Sequence, residues 1–266
     1  MEASTTRPLA VVTGASSGIG LELAKQFATN GFDLIVAAED AELASAAREV
    51  ESLGAHVEAV QVDLGTDAGV DELYGRIQAA GRPLEAIALN AGIGSGGPFA
   101  ETPLERELQL VDLNVRSVVH LAKHVVKDMV AQGSGKILIT SSIAATMPGP
   151  FQVVYNASKS FVQSFAVGLR NELKDTGVTV TSLQPGPTDT EFFERADLEG
   201  TKLDEGPKDD AADVARDGFE ALMKGDERVI SASLQTKLQG RGSRFLPDSA
   251  KAELHRKMAE PGSGKG

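Results

Sequence analysis

Leu9-Ala10-Val11-Val12-Thr13-Gly14-Ala15-Ser16-Ser17-Gly18-Ile19-Gly20 joins a short apolar run to a glycine-rich turn at the opening of a helical pattern. Each glycine in that order has a task. Gly14 permits a tight turn, Gly18 lets backbone come close to a pyrophosphate, and Gly20 lets helix and strand pack closely. The helix that follows offers unpaired N–H groups, so the loop, with Ser16, Ser17 and Ile19, forms a phosphate cradle. A glycine-rich surface turn is the plainer alternative for three glycines alone. Position directly after the first strand argues for a dinucleotide site.

Outward from that stretch, apolar runs recur at Leu9–Val12, Asp33–Ala38, His56–Val62, Leu84–Leu89, Lys136–Thr140, Val178–Leu183 and Arg228–Ser231, with helical patterns between them. The alternation predicts an α/β fold: a single doubly wound Rossmann-type domain over residues 1–266, with a parallel sheet of about seven strands, helices on both faces and a ligand crevice at the strands' carboxyl ends. Thr102-Pro103-Leu104-Glu105 reads as a capping box with proline at the first helical position. The helix starting there runs through Asn114 to about Gln132, and a second covers roughly Gln152 to Asp175, ending before Gly177. From about 189 to 213 acids outnumber bases, which reads as a mobile flap. The C-terminal extension, about 232–266, is basic through Lys237, Arg241, Arg244, Lys251, Arg256 and Lys257, and its last stretch from Pro261 reads as disordered.

The chain carries 26 basic and 38 acidic residues, a formal charge of -12, which argues against nucleic acid and anionic membrane as partners. Its lack of cysteine excludes disulfides, thiolate nucleophiles and cysteine-ligated metal centres. The polar start, Met1 to Pro8, precedes an apolar run too short for a signal core or a membrane span, so the expected location is cytoplasmic.

Tyr155 and Lys159 lie four apart in Tyr155-Asn156-Ala157-Ser158-Lys159, and Ser141-Ser142 stands upstream. On a helix this spacing shares one face, so the ammonium can approach the phenol and make its ionised form less costly. A phenol of pKa near 10 then becomes a usable proton carrier. At the end of the second strand the chain reads Ala37-Ala38-Glu39-Asp40. No base stands there, and Glu39 would repel a 2′-phosphate and accept from a 2′-hydroxyl, which favours NAD over NADP. Glu39 and Asp40 can also be read as the solvated start of the next helix.

Taken together these elements resemble the short-chain dehydrogenase/reductase family, in its compact branch without a separate substrate domain. The likeness spans roughly Leu9 to Ile230 and follows family order: the glycine motif, Asp63 after the third strand, Asn90-Ala91-Gly92, Asn114, Ser142, Tyr155-x-x-x-Lys159, and Pro185-Gly186-Pro187-Thr188-Asp189-Thr190. The resemblance implies an oxidoreductase that interconverts a secondary alcohol and a carbonyl with NAD or NADP. It makes Tyr155 the acid/base and Ser142 a partner of the same substrate oxygen. Lys159 would lower the Tyr155 pKa and bond the nicotinamide ribose, and Asn114 would link Lys159 to a water chain. By the same likeness Asp63 and Leu64 meet the adenine, Asn90, Ala91 and Gly92 line the adenosine ribose, and Pro185, Gly186, Thr188 and Thr190 hold the carboxamide and phosphate end. Leu89 stands where many members carry asparagine.

A competing class, a dinucleotide sensor or scaffold on the same fold, needs none of the proton chemistry. Ile93, Ala144, Met147, Phe151, Pro187, Phe192 and Phe193 are candidate pocket residues beside a Gly94-Ser95-Gly96-Gly97 loop that leaves space, which suggests a small uncharged alcohol or carbonyl substrate. Phe192 and Phe193 can equally pin the flap. Tyr74 is assigned to packing. His120 and His124 share a helix face but lack a metalloprotease glutamate and an evident third ligand, so no metal is expected. Asn156-Ala157-Ser158 matches a glycosylation sequon, but it lies on the Tyr155/Lys159 helix of a chain without a secretion signal and is discounted. The two long helices resemble those that pair between subunits in this family, implying a homodimer or homotetramer.

Overall fold

Every residue of the first apolar run is buried, and the run becomes β1 (Leu9–Thr13), next to the central strand of a seven-stranded parallel sheet of order β3-β2-β1-β4-β5-β6-β7. The fold is that of a computed structural model, which describes residues 7–231 and 247–264. The other strands are β2 (Asp33–Ala38), β3 (Val57–Gln61), β4 (Leu84–Leu89), β5 (Gly135–Thr140), β6 (Val178–Pro185) and β7 (Arg228–Ser231). All seven expected strands form; β2, β4 and β7 have the expected bounds, and the ends of the others move by no more than two residues. The order reverses between β1 and β4, which opens the crevice at their carboxyl ends.

Side chains alternate across a strand, so β1 sends Leu9 and Val11 to one core and Ala10 and Val12 to the other. On the first face lie α3 (Asp67–Ala79), α5 (Ser117–Gln132) and α6 (Val153–Glu172), through Leu73, Leu121, Met129 and Val162. On the second lie α1 (Gly18–Thr29), α2 (Leu43–Glu51) and α9 (Ala211–Lys224). There Phe27 meets Phe32 and Phe219 edge-on, at centroid distances of 5.2 and 5.1 Å.

The first long helix is interrupted. It runs as α4 (Leu104–Val111), a π-helical turn at Asp112–Arg116 and then α5, closing on Gly133 at φ 77°. The capping box does not form: Pro103 is itself the extended N-cap, and the Thr102 hydroxyl bonds Phe99 instead. Proline at that position starts the helix one residue later than expected. Asn114 sits in the π turn, which widens the helix where a side chain must reach sideways.

Residues 189–213 are more than a solvated loop. Their backbone forms α7 (Phe192–Arg195) and α8 (Lys202–Glu205), and Phe193, Ala196 and Leu198 bury a small core of their own. A terminal helix, Asp248–Ala259, packs beside α8. The turn after it bonds back, with Gly264 N donating to the Gly200 carbonyl at 3.0 Å, so residues 261–264 are docked where a loose tail was expected. Lys237, Arg241 and Arg244 lie outside the described residues. Among the described residues no helix is long and apolar enough to cross a membrane.

Candidate active site

One polar network ties together the ends of β1, β4 and β5. Thr13 Oγ1 donates to the Ala88 carbonyl at 3.2 Å and accepts from the N–H groups of Asn90 and Ala91 at 2.9 and 3.0 Å. Asn90 Nδ2 donates to the Thr13 carbonyl at 3.2 Å, and its Oδ1 accepts from Thr140 at 3.0 Å. With these groups satisfied, the floor of the crevice is held in one arrangement.

The three glycines do what their spacing predicts. Gly14 (φ 66°) and Gly18 (φ 54°) occupy the left-handed region, where a Cβ would stand 2.9 Å from Ala91 Cα and 2.9 Å from Thr190 Cγ2 respectively. A Cβ on Gly20 would be 1.9 Å from the Gly14 carbonyl oxygen, so the loop closes only with glycine there. Ser17 is the extended N-cap of α1 and makes no side-chain cap, so the first turn, whose Gly18, Ile19 and Gly20 line the crevice, keeps its N–H groups free of a side-chain partner.

Above this floor lies a cleft of 530 Å³. It is lined by every cofactor and catalytic residue expected from sequence except Asn114: Gly14, Ser16, Ser17, Gly18, Ile19, Gly20, Glu39, Asp63, Leu64, Asn90, Ala91, Gly92, Ser142, Tyr155, Lys159, Pro185, Gly186, Thr188 and Thr190. Neither Glu39 nor Asp40 starts a helix, since α2 begins at Leu43. Glu39 is exposed, whereas Asp40 is partly buried, with Oδ2 accepting from Ser16 Oγ at 3.0 Å. The other oxygen of Asp40 is buried with no hydrogen-bond partner among the described residues. A ribose hydroxyl would satisfy it.

Tyr155 and Lys159 share one face of α6 and are both buried. Lys159 Nζ donates to the Thr140 carbonyl at 3.1 Å and lies 5.8 Å from the centre of the Tyr155 ring. Ser141 Oγ donates to the Lys159 carbonyl at 2.9 Å, so of the serine pair Ser142 is left for the cleft. The expectation that the lysine pulls the phenol down is not met by the chain on its own. Burial pushes the Tyr155 phenol up to about 12, against an opposing hydrogen bond with Ser142, and the same burial brings Lys159 down to about 8. Tyr155 therefore holds its proton at neutral pH.

Asn114 stays out of the cleft because its side chain is spent elsewhere. Its Oδ1 accepts from Ile93 N at 2.9 Å, and its Nδ2 donates to the Ile93 carbonyl at 2.9 Å and to Ser158 Oγ at 3.2 Å. A Cβ on Gly92 would stand 3.0 Å from Asn114 Oδ1 and 3.3 Å from Lys159 Nζ, so these two groups flank the same glycine.

The apolar end of the cleft differs more from expectation. Ile93, Ala144, Met147, Pro187, Phe192 and Phe193 line it, and the Phe192 ring lies 5.3 Å from that of Tyr155. Phe151 does not: at φ 65° it turns under the Arg256 guanidinium of the terminal helix. The Gly94–Gly97 loop leaves no open space, since Cβ atoms on Gly94 and Gly96 would be 2.6 Å from Phe192 Cζ and 2.6 Å from Leu198 Cδ2. Those glycines admit α7 and the residues after it. Lys202 and Arg195 also face the cleft, so the acidic composition of that segment does not describe its inner surface.

Among the lining residues that sequence reasoning missed are Gln152, Leu203, His255 and Met258. Only the docking of the terminal helix brings the last two there. His255 is buried, and burial lowers its pKa, so its ring is neutral at pH 7. Nδ1 lies 3.1 Å from the Pro150 carbonyl, which can only accept. Nδ1 therefore carries the hydrogen, and Nε2 is an acceptor. Asn156 of the sequon is buried, with Nδ2 donating to the Met147 carbonyl at 3.1 Å.

The short chain dehydrogenase family profile matches residues 8–199. The chain belongs to the short-chain dehydrogenase/reductase family of NAD(P)-dependent oxidoreductases. A short chain dehydrogenase of Pseudocercospora fijiensis is 30% identical over 186 residues, 69% of this chain and 60% of the relative, so the chain spans less than two thirds of that protein. A solved short-chain dehydrogenase from Sphingobium yanoikuyae, in complex with NADPH, superposes with TM-score 0.79 at 28% identity, covering 90% of this chain and 96% of that one. Another from Burkholderia phymatum, in complex with NAD, gives TM-score 0.79 at 25% identity over 96% and 97% of the two chains.

Proposed function

We propose that the chain interconverts an uncharged, partly apolar secondary alcohol and its ketone or aldehyde, with Tyr155 as the proton donor and acceptor and NAD favoured over NADP. The observation that carries this reading is the burial of Tyr155 beside Ser142 and Lys159 at the wall of a cleft whose other end is the glycine cradle. The cradle suits a dinucleotide: added Cβ atoms on Gly14 and Gly18 would crowd it, and the buried, unpaired oxygen of Asp40 awaits a hydroxyl.

A bound nicotinamide dinucleotide supplies the hydride chemistry. The chain's residues do the rest. Gly14, Ser16, Ser17, Gly18, Ile19 and Gly20 take the phosphates, Asp40, rather than the exposed Glu39, reads the ribose, and Asp63 and Leu64 border the adenine. In carbonyl reduction Tyr155 gives its proton to the oxygen while Ser142 donates a second hydrogen bond to the growing negative charge. Lys159 stands next in line to return a proton to Tyr155, and Asn114 fixes the Ile93 loop and Ser158 around it. Phe192, Met147 and Met258 present apolar surface to the substrate body, and the acceptor nitrogen of His255 suits a hydroxyl on it.

NADPH and NAD in the two solved relatives leave the nucleotide choice to this chain's own residues, and Asp40 supports NAD. The two long helices and their exposed Leu104, Leu108, Phe161 and Val167 support pairing with a second copy as a homodimer or homotetramer.

The test is nicotinamide absorbance against an unbiased panel of carbonyls and alcohols. Turnover of an uncharged ketone or alcohol is expected to be fastest. NADH binding without oxidation by any carbonyl would turn the reading toward a dinucleotide sensor, and a best substrate that is a small dicarboxylate or sugar phosphate would overturn the substrate class.

A further inference from the structure

On the first face of the sheet, away from the cleft, α3 and α5 bring together donors that the reaction does not use. Asp71 of α3 and His120 and His124 of α5 point one ligand atom each into a common space, all within 4.8 Å of one another. His120 Nε2 is 3.1 Å from Asp71 Oδ1, and His124 Nε2 is 3.8 Å from the same oxygen. On the far side of the His120 ring, Nδ1 is 3.5 Å from Asp67 Oδ1. Carboxylates thus face both nitrogens of one imidazole.

His120, His124 and Asp71 each offer one ligand atom to the same space, two imidazole nitrogens from one helix and a carboxylate oxygen from another. A cation held between them would join all three.

We propose that Asp71, His120 and His124 form a binding site for a divalent late transition ion of the zinc type, with water in the remaining position. Zinc bonds of about 2.0–2.2 Å in a tetrahedron set neighbouring ligand atoms about 3.3–3.5 Å apart. The two separations from Asp71 Oδ1, 3.1 and 3.8 Å, bracket that spacing, and all three ligand atoms lie within 4.8 Å of one another. Two imidazoles at helical i and i+4 with one carboxylate select zinc, copper or nickel over calcium or magnesium, which prefer all-oxygen sites.

The surroundings hold the ligands in place. Arg116 already pairs with Asp67, so Asp67 orients His120 instead of joining the ion. Tyr74 stacks on His124 at a centroid distance of 4.3 Å and 19°, and its hydroxyl donates to Asp128 at 2.9 Å. Tyr74 packs, as the sequence suggested, and in doing so fixes the second imidazole. The third ligand was invisible in the sequence because it comes from a different helix. An ion there clips α3 to α5 and adds its binding energy to the stability of the folded chain.

The experiment uses the full chain without a histidine tag, freed of metal by chelation and titrated with zinc chloride by calorimetry and thermal unfolding. One equivalent is expected to bind saturably and raise Tm by a few degrees, reversed by chelator. His120→Ala and His124→Gln should each weaken binding by about tenfold or more, and Asp67→Asn, which leaves the ligands intact, by about tenfold or less. Turnover should be unchanged in all of them, which also confirms that they fold. Absence of saturable binding, a Tm that does not rise, or full-strength binding in a His120→Gln/His124→Gln double variant would each overturn the proposal.

Discussion

The two ends of the cleft are built differently. The dinucleotide end is made of strand termini and the first turn of α1, locked by Thr13, Asn90 and Thr140 and by glycines with no room for a side chain. The opposite end, proposed for the substrate, is made of short pieces: α7 and α8 share a small apolar core, the terminal helix packs on α8, and Arg195 comes within 3.7 Å of Asp40 at the other end. Rigid backbone frames the glycine loop, and side chains on short separate elements form the opposite end. Substitutions at the first end should therefore act all-or-none, and those at the second should be graded.

The largest effect is expected from Gly20→Val. A side chain 1.9 Å from the Gly14 carbonyl cannot be accommodated, so NADH fluorescence titration should show no binding. Retained affinity would mean that the loop is more pliable than its contacts imply.

Lys159→Met separates stability from function. A buried lysine held at about 8 instead of 10.5 costs about 3 kcal/mol when charged, offset by about 1 for its hydrogen bond to Thr140. At pH 7 the cofactor-free variant should be more stable by about 2 kcal/mol, while turnover falls about a hundredfold or more. Because the folded-state pKa lies below the unfolded one, the parent regains stability as pH rises from 8 to 10.5. The advantage of the variant in denaturant melts should shrink over that window; a constant advantage would place its cause outside this charge.

At the substrate end, Gly94→Ala pushes a methyl group into the Phe192 ring and Ala196. Steady-state kinetics should show KM raised by about tenfold, with NADH affinity little changed. Equal losses in both would erase the contrast between the two ends. The smallest effect belongs to Asp40→Ser, which removes the buried oxygen next to the glycine loop. Preference for NADH over NADPH should fall by about tenfold or less; an unchanged ratio would remove Asp40 from nucleotide choice.

The same contrast governs what could be read in advance. Local patterns wrote the strands, the glycine loop and the Tyr155/Lys159 pair, because strand burial and helical spacing depend on neighbours in the chain. Phe151, assigned to the pocket by its apolar character, is turned away by a left-handed backbone, and His255 and Met258 reach the cleft only through the docking of a distant helix. The sequence pointed to Glu39 for the ribose, whereas burial and the hydrogen bond from Ser16 single out its neighbour Asp40. The electrostatics of Tyr155 escaped for the same reason: spacing puts the ammonium near, but burial depth sets the larger shift.

The proposed chemistry depends on one buried phenol that carries the proton. In Tyr155→Phe, NADH affinity and single-turnover carbonyl reduction are measured on the same sample. Affinity should be unchanged and the rate lower by about 10²–10⁴; an unchanged rate with cofactor bound would rule the phenol out as the proton carrier.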